Sequence, residues 1–200
     1  MSRYVFLFDL DSTVTRQEIL PTIAQSNGRD KEMREITEST MRGMIPFKQS
    51  FLKRVNLLKD IPVSQVSHIV ENIELNKKVV DFIQKYKDRC YIVTGNLDVW
   101  IMGLMKRIGM ESNVFCSKAL VHNDYIEDVF SIVDKNAVVK QMVLPFVAIG
   151  DGNNDAEMID AAEIGIGFGA VRDIAPAVLE CSTHAVYTED KLVDFLEKLV

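Results

Sequence analysis

The sequence predicts an α/β fold built on a parallel sheet, and three observations carry that prediction. Two apolar runs of strand type, Tyr4–Phe8 and Phe146–Ile149, are each followed at once by an acidic cluster: Asp9-Leu10-Asp11-Ser12-Thr13 and Gly150-Asp151-Gly152-Asn153-Asn154-Asp155. Continuous runs of Val, Ile, Leu and Phe mark strands buried on both faces, as in a parallel sheet covered by helices. From residue 76 onward, short apolar runs alternate with helical patterns, as repeated β-α units require. Open sheets of this kind bind ligands at the carboxyl ends of their strands, so both acidic clusters are expected at one sheet edge.

Taken in order, the first strand and its loop are followed from about Arg16 to Ile73 by a stretch with no strand pattern. Arg29–Arg42 is rich in Glu, Met and Arg, and Phe47, Phe51, Val55 and Leu58 recur near helical spacing. Pro46 and Pro62 stand where helices commonly begin. A wholly helical stretch between the first two strands reads as a cap over the sheet edge, dividing the chain into a core of residues 1–15 and 74–200 and a cap of residues 16–73. A helix is expected over Asn76–Tyr86, then a buried strand over Cys90–Val93 ending in Thr94-Gly95-Asn96. The next helix spans Val99–Ile108, with Asn96 or Asp98 as its N-cap. Val114–Val133 reads as a strand and hairpin turning at Asn123-Asp124. There follow a helix over Asn136–Val143, the strand Val147–Ile149 and a helix starting near Asp155. The last strands fall at Glu163–Phe168 and Ala185–Tyr187, and Leu192, Phe195, Leu196 and Leu199 form the stripe of a closing helix.

Two hundred residues suffice for one domain with a modest insertion. A net charge of −6 offers no basic field for nucleic acid, so an anionic substrate must find a local positive site. Cys90, Cys116 and Cys181 form no CxxC pair, and His68, His122 and His184 lack zinc-site spacing. Three reduced thiols, no signal-peptide pattern at the N-terminus and no apolar run near the ~20 residues of a membrane span point to a cytoplasmic protein, monomer or homodimer, without membrane partners.

Asp9 and Asp11, two residues apart beyond a strand, can face one small volume. A carboxylate can attack phosphorus to form an aspartyl-phosphate, and a second carboxyl group can protonate the leaving oxygen and then deprotonate water. The same five residues also read as a surface turn with helix-capping Asp and Ser. Asp151 and Asp155 offer the hard oxygen ligands that suit Mg2+. An EF-hand is excluded, because its sixth and twelfth positions hold Ala156 and Ala162 in place of Gly and Glu. Thr94 with Gly95 and Asn96 reads either as a phosphate cradle or as an ordinary loop. Lys135 reads either as a phosphoryl partner or as a solvated lysine. Gly165-Ile166-Gly167-Phe168-Gly169-Ala170 matches G-x-G-x-x-A, but it overlaps a strand and Pro176 breaks the helix expected next, so dinucleotide binding is discounted.

Asp9-Leu10-Asp11-Ser12-Thr13, Thr94-Gly95, Lys135 and Gly150-Asp151-Gly152-Asn153-Asn154-Asp155, in that order, resemble the four motifs of the haloacid dehalogenase superfamily. Glu18, the segment Ser50–Asp60 and GDGNND give a closer resemblance to its phosphoserine phosphatase branch. The resemblance implies a Rossmann-like core of the haloacid dehalogenase type with a small helical cap after the first strand. It implies hydrolysis of a small phosphorylated metabolite, O-phosphoserine foremost, through an aspartyl-phosphate with Mg2+. Asp9 would be nucleophile and metal ligand, and Asp11 general acid/base with its carbonyl on the metal. Asp151 would complete the metal site, with Asp155 behind it. Thr94, Gly95 and Lys135 would hold the phosphoryl group and Asn154 the bound substrate. Glu18 would meet the substrate ammonium and Arg54 its carboxylate. The branch usually has Ser-Gly-Gly where this chain has Thr94-Gly95-Asn96, so Asn96 adds a side chain at the substrate. That departure leaves open another amino-alcohol phosphate, or transfer to an alcohol in place of water. A non-catalytic phosphate-binding module is disfavoured, since both Asp9 and Asp11 are present.

Overall fold

The structure, a computed structural model, describes residues 4–41, 44–143 and 145–200. Seven strands form one sheet: β1 (Val5–Phe8), β2 (Cys90–Leu97), β3 (Val114–His122), β4 (Tyr125–Ser131), β5 (Phe146–Gly150), β6 (Ile164–Phe168) and β7 (His184–Val186). Their order is β4-β3-β2-β1-β5-β6-β7, and only the β3–β4 pair is antiparallel. The parallel α/β sheet expected from the sequence is therefore present. β1 lies between β2 and β5, with Phe8 opposite both Ile92 and Ile149. The Asp9 N–H continues the ladder to the Ile149 carbonyl at 2.8 Å, so the two acidic clusters leave the sheet side by side.

Both faces of β1 are buried, which is why its four residues are all apolar. Phe6 and Phe8 pack into the larger core with Val147 and Ile149, while Val5 and Leu7 face the other way with Val93 and Ala148. Four helices separate β1 from the helix preceding β2: α1 (Ile19–Ser26), α2 (Asp30–Met41), α3 (Phe47–Leu58) and α4 (Val63–Glu71). They leave and rejoin the sheet at one point, where Thr15 bridges Leu75 and the Asn76 side chain donates to the Thr13 carbonyl at 2.9 Å. Pro46 and Pro62 are the N-caps of α3 and α4. Arg42, at the end of the helix expected over Arg29–Arg42, lies outside the described residues.

The remaining helices are α5 (Lys77–Lys85), α6 (Asp98–Ile108), α7 (Lys135–Val139), α8 (Ala156–Asp160), α9 (Pro176–Cys181) and α10 (Glu189–Leu196). Asn123 and Asp124 both take positive φ, 49° and 69°, in the turn between β3 and β4. Three expectations need correction. β2 does not end at Val93 but runs through Thr94, Gly95 and Asn96 to Leu97, its register against β3 shifting between Val93 and Leu97. Asn96 therefore lies in the strand; Leu97 is the N-cap of α6, and Asp98 accepts from the Val99 N–H within its first turn. Pro176 does not break a helix but opens α9, where a missing N–H costs nothing. The helix expected over Asn136–Val143 is the shorter α7, begun by Asp134, whose carboxylate accepts from the Asn136 and Ala137 N–H groups.

Phe82 of α5 is 2% exposed and meets Phe6 edge-on, with ring centroids 5.3 Å apart. Phe82→Ala is expected to lower unfolding free energy by about 3–5 kcal/mol in urea titration, with the m-value unchanged.

Candidate active site

At the carboxyl edge of β1 and β5 lies a cavity of about 350 Å³, lined by Asp9, Asp11, Glu18, Arg54, Gly95, Asn96 and Asn154 among others. Thr94, Lys135, Asp151 and Asp155 are buried. Thr94 touches Asn96, Lys135 touches Asp9 and Asp151 touches Arg172, each partner being on the cavity wall, while Asp155 stands one layer behind on Lys135.

Asp9 follows directly from β1. Lys135 stands at the first position of α7, where Asp134 caps the helix and sets where the lysine projects. Its ammonium bonds the Asp9 carboxylate and reaches Asp155 Oδ1 at 2.5 Å. Burial alone would lower the Lys135 pKa, but the charges of Asp155 and Asp9 reverse this and hold it above the usual lysine range. Asp9 is pushed the other way: burial raises its pKa well above the carboxylate range, Asp155 adds to this, and Lys135 opposes it.

The second acidic cluster folds on itself. Asp155 Oδ2 accepts from the N–H groups of Asp151 at 3.1 Å and Gly152 at 2.9 Å. A Cβ on Gly150 would fall 2.6 Å from Asp155 Cγ, so only glycine lets this carboxylate close over the strand end. Asp9, Asp151 and Asp155 each offer an oxygen within 4.8 Å of the others, and all three are buried. Three hard carboxylate donors so placed fit a hard divalent cation. Asp11 is outside this cluster: its carboxylate accepts from the Ile19 N–H at 2.7 Å and from the Asn96 side chain at 2.5 Å.

Arg172 belongs to the site and carried no signal in the sequence. It follows β6 in an irregular segment and bonds both Asp151 and Glu18. Nothing in its neighbourhood has periodicity or motif character, and only the folding back of that segment, tied by the Ala175 N–H to the Asp151 carbonyl at 2.8 Å, delivers it. Phe47 was legible as part of an apolar stripe, not as a wall of the cavity, where its ring covers Gly95. Arg54 projects from α3; burial lowers its pKa, and its Nε is buried with no hydrogen-bond partner among the described residues. Glu18, the N-cap of α1, has a pKa raised by burial against the pull of Arg172. The glycine-rich Gly165–Phe168 stretch is β6 itself and makes no phosphate loop.

A parallel sheet with paired acidic loops at one edge and a buried lysine between them defines a hydrolase of the haloacid dehalogenase type. The sequence pattern of the haloacid dehalogenase-like hydrolases matches residues 6–160. The chain belongs to that family. It is 31% identical over 181 residues to a phosphoserine phosphatase of Methanocaldococcus jannaschii, covering 83% of this chain and 85% of that one. Among solved structures it is similar to a phospho-aspartyl intermediate analogue of phosphoserine phosphatase, with a TM-score of 0.83, 26% identity and 99% of each chain covered. A substrate-bound phosphoserine phosphatase complex matches with the same TM-score of 0.83 and 26% identity.

Burial raises the Asp151 pKa to about 7, against the pull of Arg172, and Asp9 and Glu18 are raised as well. Between about pH 4, where free carboxyls titrate, and about pH 7, the folded chain holds protons that the unfolded chain has lost. Without divalent cation, stability is therefore expected to fall as pH rises across that window, by on the order of a few kcal/mol. Thermal unfolding in chelator from pH 4.5 to 7.5 checks this. Asp151→Asn is expected to flatten the slope and raise the neutral-pH Tm, and added Mg2+ to raise the Tm of the unsubstituted chain most near neutrality.

Proposed function

We propose that this chain hydrolyses O-phosphoserine to serine and inorganic phosphate through an aspartyl-phosphate on Asp9, with Mg2+ held by Asp9 and Asp151, and with Asp155 behind them. The observation that carries the reading is one cavity with two carboxylates, Asp9 and Asp11, beside a pair of opposite charges, Glu18 and Arg54. A phosphoserine molecule carries a phosphate to meet the first pair and an ammonium and a carboxylate to meet the second. The relatives' names point to the same substrate.

In this reading the Asp9 carboxylate attacks phosphorus as the ester P–O bond to the serine oxygen breaks, and Asp11 gives that oxygen a proton. Asp11 then takes a proton from water as the water oxygen attacks phosphorus, releasing phosphate and restoring Asp9. Lys135 keeps Asp9 oriented and balances charge that builds on the phosphoryl oxygens. The Thr94 hydroxyl and the backbone at Gly95 hold those oxygens, and Asn154 contacts the bound ester. Bound Mg2+ supplies Lewis-acid neutralisation of phosphoryl charge. Asp155 keeps its contacts to the Asp151 and Gly152 N–H groups, so it supports the ion from behind.

Residues 16–73 act as the cap. Thr15 bridges Leu75 where the segment leaves and rejoins the core. α4 is tied to the core by the Val63 N–H on the Asp124 carbonyl at 2.7 Å and by Arg107 on the Ile73 carbonyl at 2.9 Å, so closure that excludes water falls to α1–α3. Glu18 and Arg54 then arrive with the cap, while the carboxylates stay on the core. The free thiols, with Cys90 pushed up to about 12 by burial, suit a reducing cytoplasm.

Phosphate release from O-phosphoserine, beside a panel of small phosphomonoesters, tests the reading. Turnover is expected to require Mg2+, to stop in chelator and to vanish in Asp9→Asn. Glu18→Gln and Arg54→Ala are expected to cut kcat/KM for phosphoserine at least about tenfold more than for an aryl phosphate, the loss of one charge-assisted contact each. Selective turnover of another ester would move the assignment to that substrate, and equal losses on both esters would remove Glu18 and Arg54 from head-group recognition.

A further inference from the structure

We propose that Asn96 is a positioning residue that sets both Asp11 and Thr94 for the reaction, an inference that rests on the phosphatase reading of the site. Asn96 is 3% exposed, in the stretch of β2 between Val93 and Leu97 where the register against β3 shifts. Its Nδ2 donates to Asp11 Oδ2 at 2.5 Å and to Thr94 Oγ1 at 2.9 Å. Its backbone N–H also donates to Thr94 Oγ1, at 3.2 Å.

Two consequences follow from the donor and acceptor inventory. The Asp11 carboxylate is gripped at both oxygens, Oδ1 by the Ile19 N–H where α1 begins and Oδ2 by Asn96 on the sheet. That fixes the plane of a group that must first face a leaving oxygen and then a water. The Thr94 hydroxyl oxygen accepts two N–H groups, both from Asn96, which occupies its lone pairs and leaves its own O–H to donate elsewhere. A phosphoryl oxygen is the acceptor such a proton suits. A carboxamide does this without adding charge to a crowded anionic site. Glycine at the same position supplies only the backbone N–H, so the Asp11 contact and one of the two Thr94 contacts belong to the side chain.

The competing role for Asn96 is to shape the cavity it lines. Two substitutions separate the roles: Asn96→Leu keeps the volume and removes both side-chain donors, and Asn96→Ala removes volume and donors together. If Asn96 positions Asp11, both variants lose kcat on phosphoserine by roughly 10- to 100-fold, a fraction of what a general acid/base contributes, with KM changed less than about threefold. An aryl phosphate needs no proton on its leaving oxygen but still needs Asp11 to activate water. With that ester both variants should therefore accumulate trapped aspartyl-phosphate above the unsubstituted level after acid quench. A role confined to shape predicts a KM change in Asn96→Ala, little change in Asn96→Leu and no added phosphoenzyme, which would overturn the proposal. One folded variant, judged by far-UV dichroism, is enough for the phosphoenzyme measurement. Failure of the unsubstituted chain on phosphoserine would sink the substrate assignment while the aryl ester still tests Asn96.

Discussion

Lys135 places its ammonium between the carboxylates of Asp9 and Asp155, all three out of water. Buried charge is tolerated only when paired and hydrogen-bonded, and the surrounding structure supplies those conditions one by one. The Asp134 cap sets the lysine at the head of α7. Gly150 leaves room for Asp155 to turn back over the strand end, and two backbone N–H groups hold its other oxygen. The central place of β1 in the sheet brings Asp9 beside the β5 loop. Lys135 and Arg172 together face three carboxylates there, counting Asp151, and burial, with the repulsion of Asp155 added, still holds the pKa values of Asp9 and Asp151 above the usual carboxylate range. Three buried carboxylate oxygens within 4.8 Å of one another suit a metal ion for the same reason.

The site divides its work between two kinds of support. Asp9, Thr94, Asp151 and Asp155 stand on the sheet and its immediate loops, where parallel ladders on both sides of β1 restrict motion. Glu18 and Arg54 stand instead on the helical segment, Glu18 at the N-cap of α1 and Arg54 within α3. Arg172 links the two, bonding Asp151 on one side and Glu18 on the other.

Much of this was legible in the residues. The apolar runs of β1 and β5 could be read because parallel strands buried on both faces admit little else, and the acidic clusters because carboxylates seldom follow such strands without purpose. The helical stretch after β1 was legible from spacing and from Pro46 and Pro62. The carboxyl end of β2 was harder to read: Thr-Gly-Asn has the composition of a loop, and only the pairs that flank it, Val93 with Phe115 and Leu97 with Ser117, keep it in the strand. Pro176 misled for a related reason, since proline both ends helices and begins them, and only the neighbouring segment decides which.

The sequence by itself determined the α/β class, the two acidic loops and the carboxylates gathered at one sheet edge, because those features depend on local pattern and residue type. The tertiary structure alone decided which oxygen faces which donor. Asn96 meets Asp11, a residue 85 positions away, and Arg172 meets Glu18 across 154 positions, and no local pattern encodes either pair. Such contacts arise from strand order and from the path of irregular segments, which are set by the packing of the whole sheet.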